Sequence, residues 1–102
     1  MARVPIACSL TAGDAEERVA EWRQLLERHV SEVARTDRLA RLRLAEGDGP
    51  LVAATDLARR EKACCPFLEL RLVIYPEAVW LEVEAPDYDA AVLDGLVDLA
   101  RR

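Results

Sequence analysis

The chain has 102 residues, 14 Lys plus Arg against 19 Asp plus Glu, a formal net charge of −5 at pH 7 and 52% hydrophobic residues. That length suits a single domain over residues 1–102, and the apolar fraction excludes a disordered chain. The acidic balance argues against a general nucleic-acid binder, no apolar run approaches the ~20 residues of a membrane span, and Met1-Ala2-Arg3-Val4-Pro5-Ile6 is too short for a signal peptide, so a cytoplasmic protein is expected.

The first predicted element is a strand over Val4–Leu10, where Ile6, Cys8 and Leu10 alternate with Ala7 and Ser9. A helix then starts near Thr11 and Asp14. Ala15, Val19, Trp22, Leu26, Val30 and Val33 follow at helical spacing, which predicts one amphipathic helix running to about Arg35. Arg41 to Ala45 alternates as a second strand. Glu46-Gly47-Asp48-Gly49-Pro50 is a turn signal, and Pro50 suits the first turn of a second helix. Leu51, Ala54, Leu57, Ala58 and Glu61 share a face of that helix. Pro66 disfavours helical backbone at Cys65, so the helix stops at about Cys64.

Leu68–Tyr75 and Val79–Ala85 form a hairpin about Pro76 and Glu77. Pairing Ile74 with Val79, Leu72 with Leu81 and Leu70 with Val83 also sets Arg71 opposite Glu82 and Val73 opposite Trp80. One register satisfies both faces. Asp87 caps a last helix that buries Tyr88, Val92, Leu96, Leu99 and Ala100. The order β-α-β-α-β-β-α predicts a two-layer α+β sandwich with a four-stranded mixed sheet, a relative of the ferredoxin-like folds.

Glu61-Lys62-Ala63-Cys64-Cys65-Pro66-Phe67 is the most distinctive segment. Two adjacent thiolates bind a soft metal ion or a trivalent arsenical. Glu61 lies three residues before Cys64 and four before Cys65, so a helix brings its carboxylate to the sulfurs. There it serves as a proton acceptor when a ligand displaces a thiol proton, as a hard ligand, or as a charge that holds an Arg. Against this, a helix C-terminus disfavours a thiolate, although Arg59, Arg60 and Lys62 are near. Reduced cysteine also packs well as a small hydrophobe. Cys8 suits a core position; the sharper reading adds it as a third thiolate, but the expected topology sends it toward the opposite end of the sheet. An odd cysteine count argues against a disulfide scaffold. His29 reads as a packed or half-exposed helix residue. Val73, Tyr75 and Trp80 share the hairpin's outer face, which is either a shielded patch or a homodimer contact or ligand platform. The chain carries no glycine-rich phosphate loop and no Ser/His/Asp motif.

The Glu61-x-x-Cys64-Cys65-Pro66-Phe67 segment and its following strand, with Ile6-Ala7-Cys8-Ser9-Leu10 and Glu21-Trp22-Arg23, resemble small bacterial proteins of the ExxCCPF type. Similar segments look like C-terminal domains attached to MerR-type metal-responsive regulators. The resemblance spans roughly Ile6 to the last helix. It implies a thiol-based role in binding, sensing or resisting a heavy metal or metalloid, with Cys8, Glu61, Cys64 and Cys65 at the matching positions. This chain departs from a regulator in having no helix-turn-helix segment, so a DNA-binding role is not carried over.

The leading expectation is therefore a module that binds Hg(II), Cu(I), Zn(II) or arsenite through Cys64 and Cys65, with Cys8 as third ligand and Glu61 beside them. A thiol redox or sulfur-transfer protein with Cys64 or Cys65 as nucleophile is the second. A dimerising module that uses the Trp80 face is the third.

Overall fold

A computed structural model describes residues 12–86 and 91–100. The expected strand Val4–Leu10, and with it Cys8, lies outside those residues, as do Asp87 and Tyr88. The described elements are α1 (Ala12–His29), β1 (Val30–Thr36), β2 (Leu39–Leu44), α2 (Asp48–Cys64), β3 (Glu69–Ile74), β4 (Val79–Glu84) and α3 (Ala91–Ala100). Among the described residues the fold is α+β, with three helices and a four-stranded sheet in the order β1-β2-β4-β3. Every pairing among these strands is antiparallel, which corrects the expected mixed sheet. The reason lies in β4: it inserts between β2 and β3 and runs against both. The α2 crossover thus joins two parallel strands that are not neighbours.

The segment expected to complete the first helix is instead strand β1. Its helical pattern has a specific cause. The β1–β2 register shifts between Val30 and Glu32, and such a bulge places residues an odd number apart on one face. Val30 and Val33 both pack against the core, three residues apart, and so mimic a helical stripe. The helix ends where the His29 carbonyl accepts a hydrogen bond from Ala45 N–H at 2.7 Å.

The β3–β4 hairpin has the expected register: Leu70 faces Val83, Leu72 faces Leu81, Ile74 faces Val79, Arg71 faces Glu82 and Val73 faces Trp80. Alternation then sorts the two faces. Ala40, Leu42, Leu44, Leu81 and Val83 are buried and form one cluster with Trp22, Leu25 and Leu26 of α1, Ala54 and Leu57 of α2, and Val92, Leu93 and Leu96 of α3. The helices therefore share one face. On the other, the Arg41 guanidinium sits 4.4 Å from the Trp80 ring centroid, while Glu82 pairs with Arg41 at 3.1 Å and with Arg71 at 3.3 Å. Stacking beneath a cation explains how Trp80 is accommodated on a face that none of the described helices covers.

Gly47 holds φ at 110° just before α2, a backbone region that side chains rarely adopt. At the other end Pro66 halts the helix. Cys65 N–H closes the last turn on the Glu61 carbonyl at 2.8 Å, and Leu68 N–H reaches the Cys65 carbonyl at 3.0 Å. The Lys62 ammonium donates to the Pro66 and Leu68 carbonyls at 2.7 and 2.8 Å. These bonds close the corner between α2 and β3.

Leu42 is fully buried, whereas Ile74 is 70% exposed. Leu42→Ala is expected to cost about 2–5 kcal/mol in urea denaturation, and Ile74→Ala no more than about 0.5 kcal/mol.

Candidate functional site

The site forms where the end of α2 passes under α1. The buried residues of α2 are Pro50, Ala54, Leu57 and Glu61, spaced four, three and four apart. Glu61 thus occupies the next position of an apolar stripe, and its exposure is 0%. A carboxylate buried so completely requires strong partners. Both come from α1: Arg18 Nη1 and Trp22 Nε1 each donate to Glu61 Oε1 at 3.0 Å. Arg18 and Trp22 are four residues apart, so one helical face delivers both donors.

Arg18 is itself 9% exposed. The same Nη1 donates to Cys64 Sγ at 3.1 Å, and the Cys64 thiol donates to the Arg60 carbonyl at 3.4 Å. Burial works against the Arg18 charge, but the bonds to Glu61 and Cys64 outweigh it and push its pKa up. Burial pushes the Glu61 pKa up, although Trp22 and Arg18 both favour the ionised form. Around this centre, Arg60 of α2 clamps Glu21 of α1 through both carboxylate oxygens and also reaches Asp56. The Arg60 hydrogen bond holds Glu21 below the usual carboxylate range.

Three of the four expected residues lie together: one ligand atom each from Glu61, Cys64 and Cys65 falls within 4.8 Å of the others. Cys64 keeps its thiol. Cys65 is buried and engaged in a disulfide, which departs from the expectation of reduced cysteines; a cysteine count contains no distances. The fourth residue, Cys8, lies outside the described residues. Glu61 Oε2 is buried with no hydrogen-bond partner, so the network satisfies one carboxylate oxygen and leaves the other unbonded.

Arg18 and Trp22 are the site residues that sequence reasoning missed in that role. The available signal was Arg18, Trp22 and Leu25 at spacings of four and three, a cation on the apolar stripe of α1, matching the acid on the stripe of α2. Val73, Tyr75 and Trp80 belong to the opposite sheet face and take no part. His29 lies at the far end of α1. Among the described residues no helix is long and apolar enough to cross a membrane. Comparison of the chain with protein-family models, curated proteins and solved structures finds no match, so the chemistry of the site must carry its own interpretation.

Two stability outcomes follow from these bonds. Trp22→Phe keeps an aromatic side chain but removes the indole donor and some of the buried volume, and is expected to cost about 1–3 kcal/mol. Arg18→Met strands the buried carboxylate and is expected to cost about 3–5 kcal/mol; chemical denaturation reads both. The pH dependence is distinctive. Because the folded Glu61 pKa is raised, its contribution is full below the unfolded glutamate value of about 4.3 and is lost as pH rises through the folded value. Glu21, with a lowered pKa, acts oppositely and loses its contribution as pH falls through its folded value. The stability of the native chain relative to Glu61→Gln is therefore expected to decline as pH rises from about 4.3, while both lose stability in acid through Glu21.

Proposed function

We propose that this chain is a small cytoplasmic binding module for a soft heavy metal or metalloid, with Cys64 and Cys65 as sulfur donors and Glu61 beside them. The observation that carries this reading is the convergence of two sulfurs and a carboxylate within 4.8 Å at the C-terminal end of α2. Thiolates select soft ions, and Glu61 and Cys64 are oriented by hydrogen bonds from Arg18 and Trp22. Hg(II), Cu(I), Zn(II) and arsenite are the candidate ligands. Binding takes the reduced protein, in which a cellular thiol has opened the Cys65 disulfide; the cytosol favours that state. Cys8 is the proposed third sulfur.

The disulfide at Cys65 beside the Cys64 thiol favours a second reading. In it, Cys64 is the nucleophile of a thiol redox or sulfur-transfer protein, with the Arg18 guanidinium at its sulfur. We also read the fold as a relative of the ferredoxin-like sandwich. Moving β4 to the front of the chain, ahead of α1, turns the order through β3 into β-α-β-β-α-β.

Titration of phosphine-reduced protein with Hg(II), Cu(I), Zn(II) and arsenite, followed by thiolate absorbance and native mass spectrometry, tests the first reading. A one-to-one complex is expected, lost in Cys64→Ser and in Cys65→Ser and weakened in Cys8→Ser. Unchanged affinity in Cys64→Ser would end this reading. Cys64-dependent exchange with glutathione disulfide, without ligand binding, would support the second.

A further inference from the structure

Resting on the metallothiol reading, we propose that the site is built for a neutral, hydroxyl-bearing trivalent metalloid of the arsenous acid type. Cys64 and Cys65 each bond the metalloid, and its remaining hydroxyl donates to Glu61 Oε2.

Two observations select this class over an aquated cation. The first is the orphaned oxygen. Oε1 of Glu61 takes both available donors, Arg18 and Trp22, while Oε2 is fully buried and receives none. A buried acceptor left unbonded is costly and uncommon, and a ligand with an O–H supplies the missing donor. The second is the charge of Arg18. Its Nη1 lies 3.1 Å from Cys64 Sγ and 3.0 Å from Oε1, almost out of reach of solvent, and a guanidinium stays protonated. Because Arg18 already pairs with the Glu61 carboxylate, that carboxylate offers little net negative charge to a cation beyond what the two thiolates neutralise. A neutral metalloid hydroxyl needs only an acceptor, and Arg18 still orients both the sulfur and the carboxylate.

The chemistry balances without electron transfer. At each thiol an S–H bond and a metalloid–O bond break, and a sulfur–metalloid bond and an O–H bond form, releasing one water. Two such steps on arsenous acid leave one hydroxyl, so two sulfurs and that hydroxyl fill the three positions of the metalloid. Cys65 enters as a thiol, after two-electron reduction of its disulfide by a phosphine or a cellular thiol.

The test compares arsenite with methylarsonous acid, in which a methyl group replaces the hydroxyl that would remain. Reduced protein, its Glu61→Gln variant and dithiothreitol as a reference dithiol are each titrated with both. The protein is expected to prefer arsenite over the methyl compound at least about tenfold more than dithiothreitol does. Glu61→Gln is expected to lose most of that preference by weakening arsenite while leaving the methyl compound within about twofold. Equal weakening of both ligands, or a preference no greater than that of dithiothreitol, overturns the proposal. The comparison of native protein with dithiothreitol stands alone if the variant fails to fold. Hg(II) or Zn(II) binding through Cys64 and Cys65 without arsenite binding overturns this inference but leaves the metallothiol reading intact. Failure of every soft ligand removes both.

Discussion

The Glu61 carboxylate, fully buried at the α1–α2 contact, is the constraint on which the rest of the site depends. A charge there is tolerable only with donors in place, and α1 provides them from one face through Arg18 and Trp22. Those bonds set the register in which the two helices cross. They also decide where Cys64 lies, because the same guanidinium that neutralises Glu61 holds the Cys64 sulfur. The Arg60 clamp on Glu21 secures the same crossing from the outer side. The position of the thiol is thus inherited from a buried ion pair and not from the cysteine segment alone.

The sheet contributes by fixing the end of α2. β4 lies between β2 and β3, so the chain leaving β2 must cross by way of α2 before it can enter β3. The crossover ends in a proline corner closed by backbone bonds and by Lys62. This corner halts the helix within a residue of both cysteines, which places Cys64 and the buried Cys65 at the end of α2. The sheet's opposite face is held by its own charges, with Arg41 over Trp80 and Glu82 between two arginines, and stands apart from the thiol chemistry.

The parts of this arrangement that could be read in advance are those written in local pattern. The β3–β4 register was legible because alternation on both faces agreed with one pairing. The end of α2 was legible because Pro66 acts on the residue before it. The relation of Glu61 to the cysteines followed from helical spacing. The end of α1 was misread because a bulge in β1 puts Val30 and Val33 on the core at a spacing that imitates a helix. The mixed sheet was expected because consecutive strands joined by helices suggest parallel neighbours, and nothing local announces that β4 will insert between two of them.

The amino-acid sequence by itself determined the α+β class, the hairpin, the helix stop at Cys64 and the grouping of Glu61 with Cys64 and Cys65. All of these rest on periodicity, proline sterics or short helical spacing, which act within a few residues. Only the tertiary structure decided the antiparallel strand order, the recruitment of Arg18 and Trp22 and the orphaned Oε2. Each depends on how segments far apart in the chain pack together, set by which faces bury together, and no local propensity encodes it.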